Sequence, residues 1–121
     1  MSRLPLLAVL AMTGLPLAAQ AAPKAINLHA RTAGELAELC ATNPREAGAD
    51  AKINYCHGFA QGALDVDMHY RKNSICLPSP APTRTATLRE FEGWVKAKPE
   101  RGSMAAAAGL VRFMQERFPC K

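Results

Sequence analysis

Residues 51–72 read AKINYCHGFAQGALDVDMHYRK, and this stretch decides the fold. Its apolar residues recur three and four positions apart, which is the spacing of an α-helix. A helix that is apolar over much of its surface is expected at the centre of a small bundle, here with Asp50 as its N-cap. The two apolar stripes are Ile53, Cys56, Ala60 and Leu64, and then Phe59, Ala63, Val66 and Tyr70.

A shorter helix is predicted before this stretch. Thr32 and Glu35 have the spacing of a capping box, in which a threonine and a glutamate satisfy each other's free backbone N–H groups. Leu36, Leu39 and Cys40 then fall on one face, and the helix stops before Asn43-Pro44.

Two more helices are predicted after it. One covers about residues 86–98 and halts at Pro99, and another is capped by Ser103 and ends at Pro119. No segment alternates apolar and polar residues over a useful strand length. The sequence therefore predicts an all-α, four-helix bundle-like domain with short antiparallel connections.

The N-terminus has the form of a secretory signal peptide. Arg3 supplies positive charge, Leu4–Ala18 is almost entirely apolar, and Ala19-Gln20-Ala21 is a small-x-small cleavage pattern. The apolar run is shorter than the ~20 residues that span a bilayer. We therefore expect residues 1–21 to be cleaved, leaving residues 22–121 as one domain in the periplasm, with no membrane span.

The charge of the chain argues against nucleic acid as a partner. Cleavage after residue 21 would remove one basic residue, Arg3, and no acid, so the formal net charge would fall from +5 to +4. The basic residues are scattered, with no run longer than Arg71-Lys72, and no RNA motif or zinc-finger spacing is present. A slightly basic surface still favours encounter with an acidic protein.

Four cysteines, an even number, in a small exported domain indicate two disulfides. Three connectivities are possible, and the sequence alone does not choose among them. The helical layout favours Cys40–Cys56 and Cys76–Cys120, because each pair is brought to one end of the bundle. Their spacings lack the close pairs of a zinc site, so we predict no metal.

Cys56-His57 raises the possibility of a thiol nucleophile beside its base. Adjacent helical residues point about 100° apart, and an oxidised cysteine has no thiolate, so a catalytic pair is disfavoured. His57, Asp65 and His69 are too far apart along one helix to bind a metal together. The sequence predicts no enzyme activity and no cofactor.

Gly58 and Gly62 form a small-x-x-x-small pair that favours close helix approach, either within the chain or at a dimer seam. Asp65 follows on roughly the same face. These three residues are predicted to serve helix packing, with burial and solvation of Asp65 both left open.

The order AGELAELC, YCHGFAQGALD, CLP, KP and RFPC resembles the Rap/Tai class, the resistance-associated and amidase-immunity proteins of type VI secretion. The similarity runs from about Gly34 to Cys120. It implies a disulfide-bonded periplasmic protein, commonly a homodimer, that blocks the cleft of a peptidoglycan amidase effector. Candidate partner-binding residues lie in the connectors 77–85 and 98–103: Pro78, Pro80, Arg84, Lys98, Glu100 and Arg101.

Two other functions compete with immunity. One is a small disulfide-bonded periplasmic stress protein or chaperone without a cognate effector, which would expose apolar surface in acid. The other is a cysteine enzyme, which needs a free thiol.

Overall fold

The computed structural model describes Ala22 and residues 24–121, so the predicted signal peptide lies outside the described residues. The described chain is all-α, with no named strand. Its helices are α1 (Ala33–Cys40), α2 (Ala49–Tyr70), α3 (Arg84–Lys96), the four-residue α4 (Pro99–Gly102) and α5 (Ala106–Arg117). Among these helices, none is both long and apolar enough to cross a membrane.

The short helix α1 is the centre of the fold, and the prediction that α2 would be central is wrong. α1 packs against α2, α3, α4 and α5, and its residues Ala33 and Leu36 are fully buried. In α2 only four of 22 residues are buried. Apolar periodicity alone does not show which of two stripes is covered, and only the one containing Cys56 and Ala60 is buried deeply.

The ends of α1 and α2 differ in how well the sequence predicts them. The capping box is confirmed: Thr32 Oγ1 accepts from the Glu35 N–H at 3.2 Å, and Glu35 accepts from the Thr32 N–H. The N-cap of α2 is Gly48 and not Asp50, which lies in the first turn. Gly48 has φ +76°, a left-handed conformation that favours glycine.

The segment between α3 and α5 also differs from the prediction. Ser103 does not cap the last helix, because α5 begins at Ala106 with Ala105 as N-cap and without a side-chain cap. Two backbone bonds to the start of α1 fix this end: Ala33 N–H donates to Met104 O, and Ala106 N–H donates to Arg31 O. The charged loop predicted there contains the extra turn α4.

The predicted disulfides, Cys40–Cys56 and Cys76–Cys120, are confirmed. The first joins the end of α1 to α2 within the core, where Cys56 is fully buried. The second joins the segment after α2 to the residues after α5. The first bridge therefore ties the outer helix α2 to the core within its first half, and the second ties the segment beyond its end to the C-terminal residues.

Candidate partner-binding surfaces

The cysteine nucleophile is excluded by the bridges. Cys56 is bonded to Cys40, and no cysteine of the described chain, which contains all four, is free. His57 is half-buried beside it on the helix. Without a thiolate, the Cys56-His57 pair has no nucleophile to activate.

The suggested metal ligands do not converge. Within residues 24–121, no group of three His, Cys, Asp or Glu side chains is placed to hold a metal ion. His69 is exposed and lies edge-on to Tyr70, with ring centroids 4.8 Å apart. These histidines therefore give no reason to assign a metal to α2.

The turn α4 is clamped at its base by Arg101. This guanidinium lies 4.2 Å from the centroid of the Trp94 ring and donates to the Trp94 carbonyl oxygen at 2.8 Å. It also lies 3.7 Å from Glu116. The Arg101 side chain is only 19% exposed and holds the turn, and its predicted contact with a partner stays a prediction.

Glu116 connects the clamp to α5. Its carboxylate accepts from the Trp94 indole N–H at 2.7 Å and from Arg112 at 3.0 Å. The Trp94 hydrogen bond, and after it the Arg112 hydrogen bond, hold the pKa of Glu116 below its ordinary value of 4.5. The carboxylate is therefore ionised at neutral pH, accepts from Trp94 and Arg112, and lies close enough to Arg101 for an ion pair.

The tip of α4 faces solvent. Lys98, Pro99 and Glu100 are exposed, whereas Gly102 at the other end lies against Gly34 of α1. A rigid base carrying an exposed tip of opposite charges loses little conformational entropy on binding. This exposed turn, defined here as the α4 tip (Lys98–Glu100), is a candidate surface for a protein partner.

The proline-rich connector, residues 77–83, is the second candidate surface. Leu77 is 47% exposed, and Pro78 and Pro80 are exposed. Its end is fixed by Thr83, whose Oγ1 caps α3 by accepting from the Ala86 N–H.

Arg84, which lies within the predicted connector 77–85 and is the first residue of α3, contacts α2. Its guanidinium donates to Gln61 Oε1 at 2.8 Å, and Gln61 donates in turn to Asp65 at 2.7 Å. Asp65 is exposed and hydrogen-bonded, which answers the question that the sequence left open. Arg84 is held by a neutral partner, so its charge remains available at the surface.

Most of the chain matches a known protein family. The profile of the Rap1a immunity proteins matches residues 32–120. The chain belongs to the Rap1a immunity protein family. The matched range runs from the capping residue Thr32 to Cys120 and so includes α1 to α5 and both disulfides. No curated protein and no solved structure matches the chain significantly.

In this Rap1a-family chain, the glycine pair of α2 faces outward. A β-carbon at Gly58 or at Gly62 would have no atom within 4 Å, so no other helix of the described chain approaches them. Packing against a helix of the same chain is not seen, and a dimer seam stays a prediction. The glycines line a shallow groove between α2 and α5 with Phe59, Ala63, Val66, Tyr70, Ala107, Ala108 and Val111, named here the outer groove.

Sequence reasoning missed Asp67, the one buried charged residue in the described part of this family member. Its Oδ2 accepts from Ser74 Oγ at 2.7 Å. Arg71 Nε lies 2.8 Å from Oδ1, although its N–H is not aligned for a hydrogen bond. This hydrogen bond joins residues seven positions apart and stabilises the turn that follows α2 and leads to Cys76.

Proposed function

We propose that this chain is a periplasmic immunity protein that inhibits a peptidoglycan amidase effector of type VI secretion by occluding its active-site cleft. Membership in the Rap1a immunity protein family carries this proposal. Two disulfides agree with an oxidising compartment. In this proposal the chain supplies a rigid surface and performs no catalysis.

The α4 tip is proposed to enter the cleft. Its base is fixed by the contacts of Arg101 with Trp94 and Glu116, so the tip is presented in one conformation. Lys98 and Glu100 offer both signs of charge for charge-assisted hydrogen bonds. Arg84, Pro78 and Pro80 form a second candidate contact from the connector, at the opposite end of α3 from the α4 tip.

The test uses an amidase encoded beside this gene. Binding and peptidoglycan cleavage are measured with the exported protein and with a charge-swapped tip, Lys98→Glu with Glu100→Lys. A matched control, Glu38→Lys with Arg45→Glu, swaps two exposed charges at the end of α1 and the loop after it. We expect the tip variant to weaken affinity by about tenfold or more, as losing an interface hot spot does, and the control to bind normally.

Each outcome is informative. If the tip variant inhibits the amidase normally and an Arg84→Glu variant does not, the contact with the amidase lies at the connector and not at the α4 tip. Failure of the unmodified protein to bind or to protect against the neighbouring amidase would contradict the immunity proposal. Binding of unfolded clients in acid would then favour the stress-protein function.

We also propose that the protein is a homodimer joined through the outer groove. Val66 is 59% exposed and Tyr70 is 79% exposed, beside glycines that leave room for a helix of a second copy. A twofold axis would place the same face on both sides, so side chains of one copy could fill the glycine gaps of the other. The single ion pair at this face, Asp67–Arg71, adds no net charge to it.

Two neighbouring residues give a matched pair of variants for sedimentation measurements. Val66→Lys places a charge in the outer groove, whereas Met68→Lys places one on a different side of α2. Both wild-type side chains are exposed, so neither change disturbs the core. A dimer lost in the first variant and kept in the second supports the groove, and a dimer kept in both would rule it out.

A further inference from the structure

The two disulfides differ in how they relate to the core. Cys40–Cys56 lies within it: Cys56 is fully buried, and Cys40 packs against the same cluster. Cys76 is exposed and Cys120 is half-buried, and neither is part of the core cluster. Thiol–disulfide exchange requires direct contact between a reductant and a sulfur atom, so access controls the rate.

We propose that Cys76–Cys120 is a selectively reducible bridge, whose opening frees the connector and the C-terminus while the α1 core and the Cys40–Cys56 bridge stay intact. The proposal is independent of the partner assigned above, because it concerns the chain alone.

The core can survive this opening because other contacts hold both ends of the bridge. Ile75 and Phe118, which flank the cysteines, are 6% and 5% exposed and belong to the core cluster. The Cys76 N–H also donates to the Phe118 carbonyl oxygen at 2.9 Å. These contacts do not involve sulfur, so reduction leaves them in place.

The segments released by the opening have few other restraints. Within the described chain, residues 77–82 take part in no hydrogen bond, and their next fixed point is the cap at Thr83. Pro119 and Lys121 are exposed at the other end. Opening the bridge therefore loosens the connector, whose Leu77 and Pro82 line the groove beside Leu64 and Met68 of α2.

The Cys40–Cys56 bridge has no comparable local opening. Cys40 is half-buried, like Cys120, but it packs against the core cluster, and its partner Cys56 is fully buried. A reductant reaches Cys56 only after α2 separates from α1, which exposes the cluster around Leu36 and Ala60. Such separation costs a large part of the global stability, whereas exposed segments open at little cost.

A small dithiol can reduce the Cys76–Cys120 bridge in two exchange steps. Its thiolate attacks Cys76, the exposed member, forming a mixed disulfide and releasing Cys120 as a thiolate that takes up a proton. The second thiol of the reductant then displaces Cys76 as a thiol. Two electrons pass to the protein, which gains two thiols, and the dithiol becomes a cyclic disulfide.

The experiment treats the folded full mature chain with dithiothreitol for increasing times, traps free thiols with an alkylating reagent, and assigns the labels by peptide mass. We expect Cys76 and Cys120 to be labelled about tenfold faster or more than Cys40 and Cys56, with the difference lost in denaturant. Equal rates without denaturant, or earlier labelling of Cys40 and Cys56, would overturn the proposal.

A double variant tests the second half of the proposal without a reductant. Cys76→Ser with Cys120→Ser is expected to keep the helical circular dichroism and the near-ultraviolet signal of Trp94, the only tryptophan. Backbone NMR order parameters should fall in the connector and at residues 120–121, whereas amide exchange in α1 should stay unchanged. Loss of the near-ultraviolet signal, or faster exchange throughout α1, would show that this bridge holds the core itself and would contradict the proposal.

Discussion

Gly109 of α5 lies directly against Ala33 of α1: a β-carbon at position 109 would be 2.6 Å from the Ala33 β-carbon. Both residues are buried, and Ala33 is fully covered. The hydrogen bonds Ala33 N–H to Met104 O and Ala106 N–H to Arg31 O hold the two helix starts together. The close crossing of α1 and α5 therefore depends on the absence of a side chain at Gly109.

Replacing Gly109 with alanine is expected to destabilise the fold. The helix would gain up to ~1 kcal/mol in propensity, but overpacking a tight core contact costs about 1–3 kcal/mol. The free energy of unfolding measured in urea should therefore fall. The control is Gly93→Ala on α3, where a β-carbon would have no atom within 4 Å and stability should rise. A stable Gly109→Ala variant would contradict the close crossing.

The capping box gives a second prediction. Thr32→Ala removes the oxygen that accepts from the Glu35 N–H, and loss of such a cap costs about 1 kcal/mol. The change should appear as a lower urea midpoint with an unchanged slope. Thr42→Ala serves as the control, since its hydroxyl makes only an exposed 3.5 Å contact to Glu38 O. Equal effects of both substitutions would count against the cap.

The buried carboxylate of Asp67 gives a third prediction. Asp67→Ala removes the acceptor of Ser74 and the ion-pair partner of Arg71, and hydrogen bonds to charged groups contribute about 1.5–3 kcal/mol. Stability should fall by about that amount. Asp65→Ala is the matched control, because its carboxylate is exposed, and surface changes stay within about 0.5 kcal/mol. If both variants unfold alike, Asp67 does not organise the turn after α2.

Glu116 gives a prediction about pH. Hydrogen bonds from Trp94 and then Arg112 lower its pKa below 4.5 in the folded chain. A carboxyl with a lowered folded pKa contributes stability that is present above the unfolded pKa and is lost as pH falls through the folded value. Glu116→Gln should therefore lower stability at neutral pH and have a smaller effect in acid below 4.5. Urea unfolding at the two pH values measures the difference.

Glu38→Gln is the control for this pH dependence, because Glu38 is an exposed acid on α1 with no ion pair among the described residues. Its stability should follow the unmodified protein at both pH values. A Glu116→Gln variant whose loss of stability is the same in acid as at neutral pH would show that the carboxylate charge is not what holds the clamp.

Local signals in the sequence predicted local features well. The capping residues Thr32 and Glu35 act across three positions, so no tertiary knowledge was needed to find them. The disulfide pairing followed from helix order, because short connections leave few ways to bring the cysteines together. Asp50 failed as the N-cap because Gly48, in its left-handed conformation, begins the helix two residues earlier.

The surroundings of the candidate site residues could not be read from the sequence, because they depend on residues that are distant in the chain. Arg101 was selected as a contact residue from its place in a charged loop, yet it stacks on Trp94, seven residues earlier, and lies near Glu116 in another helix. Asp65 and Asp67 are two positions apart and chemically identical. In the folded chain Asp67 is buried and accepts from Ser74, whereas Asp65, on a different side of α2, is exposed.

The sequence by itself determined that the described chain is helical, that its four cysteines form two disulfides and which family it belongs to, since these depend on periodicity, caps and the number and order of cysteines. Tertiary structure decided that the eight-residue α1 is central and that α2 leaves Val66 and Tyr70 exposed. The physical reason is that a hydrophobic pattern shows which residues gain from burial, whereas the packing of the helices on α1, including the close approach of Gly109 to Ala33, decides which of them are covered.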